Sequence, residues 1–258
     1  TTCNCFEQYP FGVGGGGSGG GGTVPGDYDP QHGGGGSGGG DNGVVNPPLE
    51  EDPCSQAAKL ANNTSFKSKM TDLKSKTGLP NEVGYLMRVK PSGLIVYEPV
   101  AGLSGAGFID LNPATPIDGY IHTHYTGLLP IFSLSDVRAI YNLAMNGKTV
   151  NPETFTAGVV TAQGTAYLMK IDNLLTFAQF ANENLTSDVK FNSLEQYYNN
   201  WYNSYKYIYL KDEITAHELA LLKSLENSGI ITFKGNTNFN NWNAIKEENN
   251  TIINSNCN

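Results

Sequence analysis

The chain has 258 residues, a net charge of -8 and 39% hydrophobic residues. Its Lys and Arg residues form no cluster, so nucleic acid is not an expected partner, and no run of about eighteen apolar residues is present to span a membrane. Most of the 31 glycines fall in the first fifty residues, which therefore add little core.

Residues 1–54 read as a Gly-rich tether carrying Cys3 and Cys5. Glycine blocks around Ser18 and Ser37 favour a flexible spacer with a mean reach of about 30 Å. Such blocks resemble laboratory linkers, but the insert Pro25-Gly-Asp-Tyr-Asp-Pro30 does not, which favours a natural low-complexity spacer. His32, inside it, has no evident partner.

A domain is expected over residues 55–258. Residues 55–76 place Phe66, Met70 and Leu73 at helical spacing, predicting one or two amphipathic helices that end at Gly78-Leu-Pro80. Strands are expected at about 82–89 and 93–100, joined by the turn Lys90-Pro-Ser-Gly93. The apolar run 117–121 then leads into His122-Thr-His124. Residues 125–132 are aperiodic and contain a glycine and a proline, which suits a loop. A helix follows over 133–147: Ser133 is an N-cap, Asp136 the capping-box acid, and Val137, Ile140, Tyr141 and Ala144 an apolar stripe. Residues 155–161 and 165–171 alternate as a hairpin, and 174–184 read as a helix. Strands interleaved with helices predict an α/β fold, a mixed β-sheet flanked by helices, with its catalytic core at about 80–185.

Beyond it a helical extension is expected over about 190–235. Tyr197, Tyr198, Trp201, Tyr202, Tyr205, Tyr207 and Tyr209 crowd one helix. Such a series can line a groove, but packing onto the sheet with the hydroxyls reaching water is the preferred reading. A second helix over 214–227 carries His217, taken as a surface histidine because no H-E-x-x-H pattern surrounds it. A short strand at 230–233 ends the prediction.

Chemistry concentrates at His122, His124 and Asp136. Residues i and i+2 of a strand project to the same side, so both imidazoles reach one ion, and the first turn of the next helix returns a carboxylate. Three such ligands leave a fourth position for water, the inventory of a catalytic zinc site. Metal-activated water needs a nearby carboxylate as proton shuttle, for which Glu82 is the candidate and Glu98 the runner-up. Asp118 is a possible substitute ligand, though a straight strand puts it about 13 Å from His122. Singly, each residue has a plainer explanation: H-x-H as packing histidines, Ser133 as a cap, Asp136 as a charge at a helix N-terminus, Glu82 as an ordinary strand acid. The joint order of all of them favours the metal.

This series, Glu82, then His122-Thr-His124, then Ser133-Leu-Ser-Asp136, resembles the JAMM (MPN-plus, JAB-like) zinc metallopeptidases, whose pattern is Glu, a long gap and H-[ST]-H-x7-S-x2-D. Eight residues separate His124 from Ser133 here, and Tyr125 stands where the family usually has proline. The resemblance covers about residues 82–171. It implies a cytidine-deaminase-like JAMM core, one Zn2+ held by His122, His124 and Asp136, Glu82 as general base and acid, and Ser133 stabilising the oxyanion. The implied function is hydrolysis of an amide or isopeptide bond in a protein or peptide substrate. The alternative is a catalytically silent module of the same fold that binds a protein partner. A deaminase reaction is disfavoured because a P-C-x-x-C ligand pair is missing.

Cys3, Cys5, Cys54 and Cys257 all lie outside the expected catalytic core. A Cys3–Cys5 ring would be strained, so Cys54 and Cys257 are each expected to take an N-terminal partner. A four-cysteine zinc site is weak without C-x-x-C. Together with a first residue that is not methionine, these cysteines suggest a processed, extracytoplasmic or secreted protein.

Overall fold

The structure, a computed structural model, describes residues 51 to 256. The tether to residue 50, His32, Cys3, Cys5 and Cys257, and with them the expected cysteine pairings, lie outside the described residues. Chain order begins with α1 (Pro53–Asn62) and α2 (Thr64–Lys76), two helices separated at Asn63. Asn63 ends the first in an extended conformation, and its side chain accepts from Phe66 N to cap the second, so one residue makes the break.

Strands β1 (Val83–Val89) and β2 (Ile95–Ala101) form the expected hairpin. β3 (Gly119–His124) carries the histidines, α3 (Leu134–Met145) follows, and β4 (Thr156–Thr161) returns beside β3 in parallel. β5 (Ala166–Ile171), α4 (Leu174–Asn184), α5 (Asp188–Asn203), a π-helical turn Ser204–Ile208, α6 (Glu213–Ser224) and β6 (Ile230–Gly235) come next, then β7 (Trp242–Glu248) and β8 (Thr251–Asn256). One sheet runs β2-β1-β3-β4-β5-β6-β7-β8, and every neighbouring pair except β3–β4 is antiparallel. The fold is α/β with a mixed eight-stranded sheet. No helix of the described residues is long and apolar enough to cross a membrane.

Period-two alternation splits the core between the two faces. Ile121, Val160 and Leu168 meet Ala57, Phe66, Met70 and Leu73 of α1 and α2. Tyr120, Val159 and Tyr167 meet the helices on the other side, including Val137 and Ile140 of α3 and Leu219 of α6. Each side chain so buried contributes about 1.5–3 kcal/mol relative to exposure.

The helical extension expected over about 190–235 is present as α5 and α6, the strand expected at 230–233 is β6, and two strands that were not expected, β7 and β8, follow it. Residues beyond α6 continue the sheet through β6, β7 and β8. The β7–β8 turn is Asn249-Asn250, both at positive φ (52° and 59°), the backbone of a two-residue primed hairpin that asparagine tolerates. His217 is also not a surface histidine. Its ring stacks on Tyr202 (4.2 Å between centroids), its Nδ1 meets the Tyr198 hydroxyl at 2.7 Å, and its Nε2 meets Glu213 at 3.1 Å. The tyrosines divide accordingly: Tyr198 and Tyr205 are buried against α6 and its neighbours, whereas Tyr197, Tyr207 and Tyr209 are exposed.

Candidate metal centre

All six residues of β3 are buried. The strand's alternation aims Tyr120, His122 and His124 at the α3 face and Ile121 at the α1–α2 face. Each imidazole is fixed from behind: His122 Nδ1 lies 2.9 Å from Gly158 O and His124 Nδ1 lies 2.9 Å from Leu129 O. A carbonyl can only accept, so both Nδ1 atoms donate to the backbone, and both Nε2 atoms face forward. Leu129 sits in the 125–132 loop, so the loop that brings back the third ligand also orients the second histidine.

Glu82 occupies the residue immediately before β1 and is 2% exposed, unlike an ordinary strand acid. Its carbonyl accepts from Gly102 N (2.9 Å) and Asn81 Nδ2 (3.1 Å), and the adjacent Val83 N donates to Thr123 Oγ1 (3.0 Å) of the histidine strand. Gly84 stands opposite His122 in the β1–β3 register. A Cβ there would lie 2.5 Å from Ile121 O and 3.1 Å from His122 Cβ, so only glycine lets β1 approach this closely.

Asp136 is held by the capping box at the start of α3. Its Oδ2 accepts from Ser133 N (2.7 Å) and from the Ser133 hydroxyl (2.8 Å), while Asp136 N donates to Ser133 Oγ (3.2 Å). The carboxylate is thereby placed between the imidazoles: Oδ1 is 3.2 Å from His122 Nε2 and Oδ2 is 3.4 Å from His124 Nε2. Glu82 Oε1 stands 3.8 Å from His124 Nε2. The extra loop residue before Ser133 leaves the helix start in register with the histidines.

These charges act on one another. Burial alone would raise Asp136, but the two imidazoles outweigh it and hold the carboxyl well below the usual range. Burial pushes Glu82 above the usual carboxylate range against the pull of both imidazoles. In His124 burial is the largest influence and lowers, yet Asp136 and Glu82 outweigh it and keep the ring above its ordinary value.

Glu82, His122 and His124 are buried with ligand atoms within 4.8 Å of one another, a group that could hold a metal ion. Asp136 adds a carboxylate whose two oxygens lie within ion-pair distance of one imidazole each. His122 Nε2 is buried and has no hydrogen-bond partner despite the nearby Asp136 oxygen. A ring nitrogen beside two carboxylates suits a divalent cation. The site opens into a cavity of about 440 Å³ whose walls include Phe108, Tyr120 and Arg138 as well as Glu82, His122 and Asp136.

The five residues expected at the site, Glu82, His122, His124, Ser133 and Asp136, thus converge. Glu98 does not: on edge strand β2 it pairs with Arg88 at 2.5 Å. Neither does Asp118, whose Oδ2 accepts from Val89 N at 2.7 Å. Sequence reasoning missed the Gly158 and Leu129 carbonyls, for which side-chain types carry no signal, and Tyr120, whose ring lies 5.5 Å from that of His122. No family model, curated protein or solved structure matches the chain.

Proposed function

We propose that the protein is a zinc-dependent peptidase or isopeptidase of the JAMM type, hydrolysing an amide bond with metal-activated water. The observation that carries this reading is the buried convergence of two forward-facing Nε2 atoms, the Asp136 carboxylate between them and the Glu82 carboxylate 3.8 Å from His124 Nε2. His122, His124 and Asp136 would hold the ion. Bound zinc would lower the pKa of coordinated water to about 7 and polarise the scissile carbonyl. Glu82 accepts the proton of the attacking water and returns it to the leaving nitrogen, a role that requires a carboxylate at the cavity wall not used in a structural pair. The backbone contacts behind both imidazoles keep the ligand nitrogens from turning away.

One observation favours a silent binding module instead. The Ser133 hydroxyl, expected to steady the oxyanion, is given to Asp136 at 2.8 Å. It would have to turn towards substrate to serve that role. The two readings separate on Glu82→Gln, with zinc-loaded protein incubated with a peptide library and products read by mass spectrometry. The peptidase reading predicts that the native protein cleaves, and that the variant keeps one zinc and loses cleavage. Unchanged cleavage by the variant would remove Glu82 from the mechanism.

A further inference from the structure

Between β2 and β3 the chain runs from residue 102 to 118 without helix or strand. Connections longer than about 12–15 residues are uncommon inside a domain, and ordered ones usually carry function. This one is tied down along its length. Gly102 N donates to Glu82 O (2.9 Å) and Gly105 N to Pro80 O (2.8 Å). Further on, Pro113 O accepts from Lys148 Nζ (3.0 Å) and Thr115 O from Arg88 Nη2 (3.4 Å). Between these anchors Gly107 lies against Leu128, where a Cβ would come 2.9 Å from Leu128 Cδ2. The segment is thereby moored to the backbone of Glu82 on one side and to the loop that orients His124 on the other.

Phe108 follows directly. It is 60% exposed although it forms a wall of the metal-centre cavity. A large apolar ring held in water forgoes the free energy of burial, and here the backbone around it is fixed. Ile109, Leu111 and Phe191 extend the apolar wall, and the Arg138 guanidinium packs on the Phe191 ring at 4.8 Å. Arg138 is itself paired with Asp188 at 2.9 Å, while Glu82, Asp110 and Asp136 bring three carboxylates to the same cavity. An acidic group entering it meets like charge. What the wall offers is apolar area.

We propose that Phe108, Ile109, Leu111 and Phe191 form a subsite for a branched aliphatic side chain on the substrate residue beside the scissile bond. The substrate class is then a peptide with leucine or a similar residue at that place. This rests on the hydrolase reading and adds a preference to it. A cavity of about 440 Å³ has room for such a side chain next to the reacting group. The side chain covers the Phe108 ring and displaces water from it, so its presence registers in binding.

The test is isothermal titration of the zinc-loaded full chain with two hydroxamates, N-acetylleucine hydroxamate and the N-methylamide of 2-isobutylmalonyl hydroxamate. They carry the same isobutyl group on opposite sides of the zinc-chelating atoms, and each is compared with its counterpart lacking that group. One isobutyl compound is expected to bind at least about tenfold more tightly than its counterpart. Phe108→Ser is expected to abolish the difference. Leu103→Ser, which removes a 79% exposed side chain of the same segment outside the cavity lining, is expected to keep it. Melting curves establish that both variants are folded. Hydroxamates that bind with no preference for isobutyl would overturn the subsite and leave the hydrolase reading in place. So would a preference that survives Phe108→Ser or is lost in Leu103→Ser. If no hydroxamate binds, the hydrolase reading fails and the subsite with it.

Discussion

Lys170 is 3% exposed, and Lys170→Met provides a stability experiment whose sign follows from burial alone. The amine titrates near 7 in the folded protein and at about its ordinary 10.5 in the unfolded chain. Below pH 7 both states hold the proton, and the penalty for a buried ammonium is fully present. Between 7 and 10.5 the unfolded chain holds a proton that the folded protein has released, so stability rises with pH by up to about 1.4 kcal/mol per unit. Allowing for half-titration of the folded amine at pH 7, the gain from pH 7 to pH 9 is about 2 kcal/mol. Methionine removes this dependence. It also strips three acceptors, Thr154 O, Phe155 O and Thr156 Oγ1, of their donor, at about 1–3 kcal/mol for each that finds no water, but that loss does not change with pH. Urea denaturation of both proteins at pH 7 and pH 9 isolates the difference: the native protein should gain about 2 kcal/mol on the variant. Equal changes in both would show that Lys170 keeps an ordinary amine titration, and the argument from its burial would fail.

Gly84→Ala should destabilise by about 1–3 kcal/mol and reduce zinc content, because the new methyl meets Ile121 O at 2.5 Å and displaces the His122 backbone; denaturant melts and metal analysis report both. Ser133→Ala removes the side-chain N-cap and the hydroxyl donor to Asp136, leaving the backbone donor, so thermal melts should show a loss of about 1 kcal/mol and chelator competition a roughly tenfold weaker zinc affinity. Leu210 has φ 54° and is 82% exposed, so Leu210→Gly should relieve a left-handed backbone and stabilise by about 0.5–1 kcal/mol in thermal denaturation.

Much of the site was legible because its chemistry is written in side-chain types at periodic spacing. H-x-H needs only strand alternation to aim two rings one way, and S-x-x-D predicts both the helix start and the bonds now seen between Ser133 and Asp136. Glu82 lies forty residues from His122, and only the β1–β3 register joins them, so its place rested on resemblance to a known pattern. The carbonyls of Gly158 and Leu129 were invisible because any residue has one. The last two strands were the weak point of the fold reading: β7 and β8 carry Asn, Lys, Glu and Ser on half-exposed or exposed positions, which blurs period-two alternation, although Asn249-Asn250 is a hairpin signal. Exposure of His217 was misjudged because Tyr198 and Tyr202, nineteen and fifteen residues earlier, fold back over it from α5, and helix pairing is not encoded in local spacing.

Metal content is the most direct measurement of the central claim. The protein is loaded with zinc, desalted against a weak chelator and analysed by inductively coupled plasma mass spectrometry, alongside His122→Ala and Glu82→Gln. One zinc per chain is predicted for the native protein and for Glu82→Gln, with none in His122→Ala. Native protein without stoichiometric zinc, or a His122→Ala variant that retains it, would contradict the assignment.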